Sequence, residues 1–454
     1  MAVLPDFRAA RFEPGAPIDN PFFPLEPGTV FSSGGTQIDQ DTGEAVVERN
    51  DLFVTFETQE IAGVTTKVVR HTEYADGVLV EDTIDRYAQD TEGNVWYFGE
   101  VTFSFEYDDQ GNFVESSTEG SWEAGVDGAQ PGHIMPADPG FGAGYFQEFA
   151  PGVAEDEAIV VGVDQQVTIG LGEFDGVLKT LDTTALEPDL AEFKYYAPGV
   201  GQVLEEELGD EGEVEFASEL LGVRTVGDDA NNLEEPKAED FIGADSELQV
   251  TFLGGTGLNN AIGAYTFDAG TGEIGEGRIL FAATDELAAG TTASVEVAEG
   301  EGLGLFLVPG GADLGLDLSE FEDGGLVFTN FISGEAATLG DGLAPLVTDA
   351  EGLEGEVLPI TALHALDDDP ADGFNFLNPA AGAQAVELET DAVEGTAGGE
   401  VTVLGFEELL TTDPGFDGDY DDVLVAVSEA PPNADMMSLP GELGTAEVAD
   451  SVMM

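Results

Sequence analysis

Cysteine is absent from this 454-residue chain, which excludes disulfides and thiolate metal sites. Basic residues are scarce: 11 Lys and Arg face 94 Asp and Glu, a net charge of −83. A surface of that sign repels phosphates, so nucleic acid is excluded as a partner. Only His71, His133 and His364 are available for imidazole chemistry. No apolar run approaches the ~18 residues of a membrane span. The opening Met1-Ala2-Val3-Leu4-Pro5-Asp6-Phe7-Arg8 has no apolar signal-peptide core. The expectation is a secreted, extracellular or surface-associated protein, exported without an N-terminal signal peptide and carrying no transmembrane segment.

What is present argues for a folded chain. Hydrophobic residues make up 42%, aromatics 9%, and Phe alone occurs 29 times, enough for a substantial core despite the charge. A compact chain of this mass exposes on the order of 16,000 Å². One net charge then falls on roughly every 14 Å, little more than the Debye length of about 8–10 Å. Such a surface calls for salt, divalent cations, or both, as in a marine or halophilic host or in a protein with dedicated Ca²⁺ sites.

The basic residues are uneven: nine of the 11 lie within residues 1–224. The acidic stretch from Gly227 to Pro236 marks the change. This divides the chain into an N-terminal domain (1–226), an acidic linker (227–244), a C-terminal domain (245–430) and a partly flexible tail (431–454). The pattern is all-β. Val101-Thr102-Phe103-Ser104-Phe105-Glu106-Tyr107 alternates apolar with polar, the period of a half-buried strand. Residues 67–74 and 78–84 flank Ala75-Asp76-Gly77, a hairpin signal, because Asp-Gly tolerates positive φ. Turns follow at 90–94 and 108–112, with Trp96, Tyr97 and Phe98 in the strand between. Residues 120–140 read as an ordered loop, and further strands fall at 158–163, 166–169 and 192–196. Meandering strands at this density predict an antiparallel barrel or curved sheet. In the C-terminal domain, apolar runs at 248–253, 263–267, 278–281, 303–308, 326–331, 401–406 and 423–427 predict a β-sandwich of jelly-roll type. Single helical turns are expected at 316–321 and 407–410.

The densest carboxylate spacing is Asp413-Pro414-Gly415-Phe416-Asp417-Gly418-Asp419-Tyr420-Asp421-Asp422, just before the 423–427 strand. Ca²⁺ takes six to eight hard oxygens, which acids at alternate positions on a tight loop can supply. Asp417, Asp419, Asp421 and Asp422, closed by Glu407 and Glu408, are the candidate metal ligands. The spacing is not that of an EF-hand. A second, weaker cluster is Asp367, Asp369 and Asp372. His71 with Glu73, and His133 near Met135 and Asp138, form a further candidate for a transition metal. Trp122-Glu123 with Asp127 and Asp138 is a candidate for glycan chemistry. Trp96 and Trp122 are the candidate ligand-contact residues. Leu253-Gly254-Gly255-Thr256-Gly257-Leu258-Asn259-Asn260 reads as a loop.

Two resemblances carry these readings further. Gly263-Ala264-Tyr265-Thr266-Phe267, Gly277-Arg278-Ile279-Leu280-Phe281, the run from Leu303 to Pro309, and the closing Gly405-Phe406-Glu407-Glu408 with Asp417-Gly418-Asp419-Tyr420-Asp421-Asp422-Val423 make the stretch from Leu248 to Val427 similar to an uncharacterised β-sandwich domain of bacterial extracellular proteins. That domain often accompanies calcium-dependent repeat adhesins. Its closing motif usually has Asp, Arg and Asn where this chain has Glu408, Gly418 and Asp421, changes that keep or add oxygen ligands. The stretch from Asn20 to Glu207 resembles a bacterial secreted or lipoprotein-like β domain, through Asn20-Pro21-Phe22-Phe23-Pro24-Leu25, Asn94-Val95-Trp96-Tyr97-Phe98-Gly99-Glu100, Gly120-Ser121-Trp122-Glu123-Ala124-Gly125 and the run from Lys194 to Gly201. The lipid-bearing Cys of a lipoprotein is missing. The first resemblance implies Ca²⁺ and an extracellular setting, and neither implies an activity. The leading expectation is a non-enzymatic Ca²⁺-binding adhesion or surface-matrix protein, with cell-surface components or its own copies as partners. The alternative is an N-terminal barrel holding a small apolar molecule or glycan on a calcium-stabilised stalk. A glycan-acting enzyme ranks below both.

Overall fold

The computed structural model describes residues 2–38, 43, 45–108, 110–209, 212–225, 236–241, 246–349, 356–366, 375, 377–378, 384–387, 401–409 and 420–429. The chain divides into two compact units, one of residues 1–106 and 116–225, the other of 107–115 and 226–454. Both are built from antiparallel strands, and no helix among the described residues is long and apolar enough to cross a membrane.

The first unit is a nearly closed antiparallel barrel. Its strands run in space as Gly144–Phe146, Asp156–Ile169, Gly172–Thr184, Ala191–Ala197, Gly201–Leu208, Val214–Thr225, Thr29–Ile38, Ala45–Ile61, Val64–Ala75, Val78–Gln89, Val95–Tyr107, Gln130–Met135 and Glu148–Phe149. The two outermost strands are separated in sequence by Gln147 alone, so the sheet curls back almost onto itself. Gly132 marks the seam. A Cβ there would lie 2.4 Å from the carbonyl oxygens of Phe146 and Gln147, so only glycine permits the approach. The pairing of Val214–Thr225 with Thr29–Ile38 joins the last strand of the unit to its first long one.

Local chemistry accounts for the meander. The expected hairpin forms around Asp76 and Gly77, with φ of 50° and 83°, the positive values a tight primed turn requires. A turn also forms at 90–94, where the Gly93 amide donates to the Asp90 carbonyl, and the Gly111 amide donates to the Asp108 carbonyl. The 120–140 loop carries more structure than expected, including Trp122–Glu123 and Gln130–Met135. One end of the barrel is covered by the short hairpin Ile18–Asn20 with Phe23–Leu25. Asn20 secures it by donating to the carbonyls of Gly93 (3.0 Å) and Pro136 (3.2 Å).

The second unit is a sandwich. One sheet orders its strands as Thr292–Val297, Ser246–Gly254, Val423–Ser428, Val401–Phe406 and Ala385–Glu387. The other orders them as Ile274–Phe281, Ala261–Asp268, Glu301–Val308 and Leu363–His364. A single hydrophobic core draws on both, with Val250, Phe252, Leu404, Phe406 and Val425 meeting Ile262, Tyr265, Leu305, Phe306 and Leu307. Gly263, Gly302 and Gly304 make room for the rings of Phe306, Phe267 and Tyr265. Every apolar run expected here contributes a strand. The 316–321 turn is a 3-10 helix at Leu318–Phe321. Residues 407–409 are irregular rather than helical. Phe241, on a 3-10 turn within the stretch read as linker, packs into this core.

Candidate functional site

The barrel holds a partly open cavity of about 610 Å³. Its position follows from strand alternation, which turns every second side chain inward. Two adjacent rungs of the ladder form its acidic wall. In one, Lys194 lies opposite Thr180 and Glu205, and Glu205 lies opposite Ser218. In the next, Glu192 lies opposite Asp182 and Glu207. On the facing wall, Asn50 pairs with Glu73 and Glu73 with Glu81, while Asp85 pairs with Glu100. Eight carboxylates line the cavity (Glu73, Glu81, Asp85, Glu100, Asp156, Asp182, Glu192, Glu205), against Lys194 and His71. The rest of the lining includes Phe23, Leu25, Phe31, Leu52, Tyr87, Tyr97, Tyr196 and Leu220.

Crowding of buried acids sets their protonation. The Glu100 carboxyl is pushed up to about 8 by burial and by neighbouring Asp85, against the hydrogen bond from Tyr97. Burial raises Asp85 as well, opposed by His71 and Tyr97. The Tyr97 hydroxyl contacts Asp85 Oδ1 and lies 2.8 Å from Glu100 Oε2. A single phenol proton cannot serve two carboxylates. A protonated Glu100 donating to Tyr97, which donates to Asp85, satisfies all three groups. Glu148 is raised far above the carboxylate range by burial, then by Glu100 and Asp156, although Trp122 Nε1 donates to its Oε2 at 2.6 Å. Burial also lifts Asp182 to about 6 and Glu207 to about 7, the latter with help from Glu192, Glu48, Glu205 and Glu73.

Lys194 is the counter-charge. Its Nζ lies 3.0 Å from Glu192 Oε2 and 3.5 Å from Glu205 Oε2. Burial alone would lower its pKa, but Glu205, Glu192 and Asp182 outweigh burial and hold it well above the usual lysine range. Among the described residues, the acids that bring ligand atoms within 4.8 Å of one another are Glu192, Glu205 and Glu207. Sequence reading did not single out these three. The signal was the alternation of Glu205 and Glu207, but their meeting with Glu192 depends on register.

The sequence-based candidates lie elsewhere. Trp96 and Trp122 are buried but do not line the cavity. Trp96 packs against Phe7, Phe12 and His133, and its Nε1 donates to Asp90 Oδ2 at 2.8 Å. Trp122 sits behind Tyr97, with ring centroids 5.4 Å apart. His71 lines the cavity with Glu73, whereas His133 lies against Trp96, so the two imidazoles belong to different environments. Glu123, Asp127 and Asp138 are exposed.

At the close of the second unit, Asp417 and Asp419 lie outside the described residues, as do Asp367, Asp369 and Asp372. Glu407 and Glu408 are buried. The Glu408 carboxylate accepts from the Leu258 amide (2.8 and 3.0 Å) and from Asn260 Nδ2 (2.7 Å). Its own amide donates to Asp422 Oδ2 at 2.9 Å. Thr256 Oγ1 donates to Asp421 Oδ1 at 3.2 Å. Glu408 and Asp422 thus come together and hold the 254–260 loop against the strand end. Protein donors engage Glu408, Asp421 and Asp422, which ties the loop to the strand end.

No family model and no curated protein matches the chain. Among solved structures, a Bacteroides fragilis protein described as exported, with a YmcC-like fold, is 16% identical over 45% of this chain and 99% of its own, with a TM-score of 0.26. A protein of Parabacteroides distasonis described as a lipoprotein is 12% identical over 45% of this chain and 98% of its own, with a TM-score of 0.24. Likeness at this level assigns neither an activity nor a location.

Proposed function

We propose that the first unit is a ligand-binding module that takes a small molecule into the interior of its barrel. The second unit would then be a non-catalytic sandwich carried with it, in a protein that works outside the cytoplasm. The observation that carries this is the cavity of about 610 Å³. Small-molecule sites usually measure roughly 300–1,000 Å³ and combine apolar walls with a few polar groups. A barrel filled by its own side chains would offer no such space. The test uses the neutral apolar fluorophore N-phenyl-1-naphthylamine. Saturable emission at one probe per chain is expected, and Leu52→Trp, which fills the lining, should abolish it while leaving the circular dichroism unchanged. Wild-type protein that fails to take up the probe would refute the proposal.

A second reading is Ca²⁺ at the close of the sandwich, in an adhesion or matrix role. The burial of Glu407 and Glu408 favours it. The protein hydrogen bonds to Glu408 and Asp422 weigh against it. Thermal unfolding of the whole chain with calcium or with chelator, at one ionic strength, decides. A bound ion raises the midpoint by mass action, and coincident curves remove the reading.

A further inference from the structure

We infer that the barrel takes a cationic amphiphile, its positive head against Glu192 and Glu205 of the cavity wall, with Glu207 beside them, and its apolar part directed toward Phe23, Leu25 and Tyr87. The inference rests on the reading of the first unit as a binding module and names the class of ligand.

The two ends of the barrel differ in chemistry because the meander is antiparallel. The strand ends at Ala75, Thr184 and Leu208 share one end, and Glu73, Glu192 and Glu207 lie beside it. The turns at 61–64, 89–95 and 197–201 share the other end, where the Ile18–Asn20 and Phe23–Leu25 hairpin forms an apolar floor. Phe23 meets the Tyr87 ring there at 5.4 Å, and the Gly199 amide donates to the Pro21 carbonyl. The space between is therefore graded, with Glu73, Asp182 and Glu192 toward one end, Asp85 and Glu100 midway beside Tyr97, and the aromatic-aliphatic floor at the other.

At the acidic end the charges do not balance. Glu192 and Glu205 share one ammonium, that of Lys194, and Glu207 brings a third carboxyl within 4.8 Å of theirs. A second, independent sign of a missing partner is Ser218. Its side chain lines the cavity opposite Glu205 and is 6% exposed, yet its Oγ has no hydrogen-bond partner. Buried hydroxyls are nearly always paired. A metal ion suits this place poorly, because Lys194 Nζ already stands within reach of two of the same carboxylates and would face the ion at short range. A substituted ammonium is larger, more weakly hydrated and tolerant of that neighbour. It also carries the apolar portion that the floor would cover.

The experiment is displacement of N-phenyl-1-naphthylamine from the full chain by three twelve-carbon competitors below their micelle thresholds: dodecylammonium, whose N–H groups can reach Ser218 Oγ and the carboxylates, dodecanol and dodecanoate. The ammonium should displace the probe at about tenfold lower concentration than the alcohol, the worth of about 1.4 kcal/mol. That advantage should shrink with added salt. It should also vanish in Glu205→Gln/Glu207→Gln, and shrink in Glu192→Gln, with probe affinity kept. Equal displacement by alcohol and ammonium, or preference for dodecanoate, overturns the charge assignment and leaves the binding module standing. Competition by calcium chloride at matched ionic strength would make the acids a metal site and also overturn it. Wild-type protein that binds no probe overturns the reading beneath.

Discussion

Replacing Lys194 by methionine keeps the length of the side chain and removes the charge that Glu192 and Glu205 surround. Breaking a fully buried ion pair costs about 3–5 kcal/mol, and exposed pairs are worth about 0–1 kcal/mol. The side chains of Lys194, Glu192 and Glu205 are 26%, 20% and 23% exposed, between those limits. Two carboxylates at 3.0 and 3.5 Å lose their partner together, so a cost of about 2 kcal/mol at pH 7.5 follows. For a unit of this size that is roughly 4–8 °C in Tm. Because the raised pKa of Lys194 contributes stability that is fully present below the unfolded lysine value, the deficit of the variant is present at both pH 7.5 and pH 5. Urea titrations of wild type and Lys194→Met at pH 7.5 and 5 measure it, with Lys194→Met/Glu205→Gln recovering part of the loss. A Lys194→Met variant as stable as wild type at pH 7.5 would refute the assignment of Lys194 as counter-ion.

Acidification should move the two units in opposite directions. Glu100 and Glu207, raised to about 8 and about 7, contribute stability that is complete below their unfolded values near 4.5 and lost as pH rises through those folded values, so the first unit gains as pH falls from about 8 to 4.5. Glu100→Gln should flatten that slope in scanning calorimetry. His364, buried beside Tyr265 and Phe328, is held neutral by burial down to about 3, whereas the unfolded imidazole binds a proton near 6.5, so the second unit weakens as pH falls from 6.5. Transitions that shift together across this range would contradict both statements. Glu408→Ala leaves the Leu258 amide and Asn260 Nδ2 without their acceptor and should cost about 2–3 kcal/mol, read by denaturant unfolding, with Glu408→Gln milder. Gly132→Val drives a side chain into the carbonyls of the barrel seam and should cost about 1–3 kcal/mol or prevent folding; a fully stable variant would show that the seam is not closed.

Strand content was legible because its causes are local. The alternation of residues 101–107 and the Asp76-Gly77 turn act over a few residues, and both appear where read. The missed strands show the limit. Thr29–Ile38 contains Ser32, Ser33, Gly34 and Gly35, a composition that argues for a loop, and pairing on both sides overrides it. The two tryptophans looked like ligand contacts because large aromatics mark sites as readily as cores. Their indoles instead pair with Asp90 and Glu148 inside the packing.

The sequence by itself determined that the chain is nearly all β, since apolar content and two-residue periodicity need no knowledge of what lies far away along the chain. The location of the acidic chamber was decided only by the tertiary structure. Glu73 and Glu205 are far apart in sequence, as are Leu258 and Glu408. Barrel closure puts the first pair in one chamber and the packing of the sandwich puts the second in one place, where Glu408 ties down a loop.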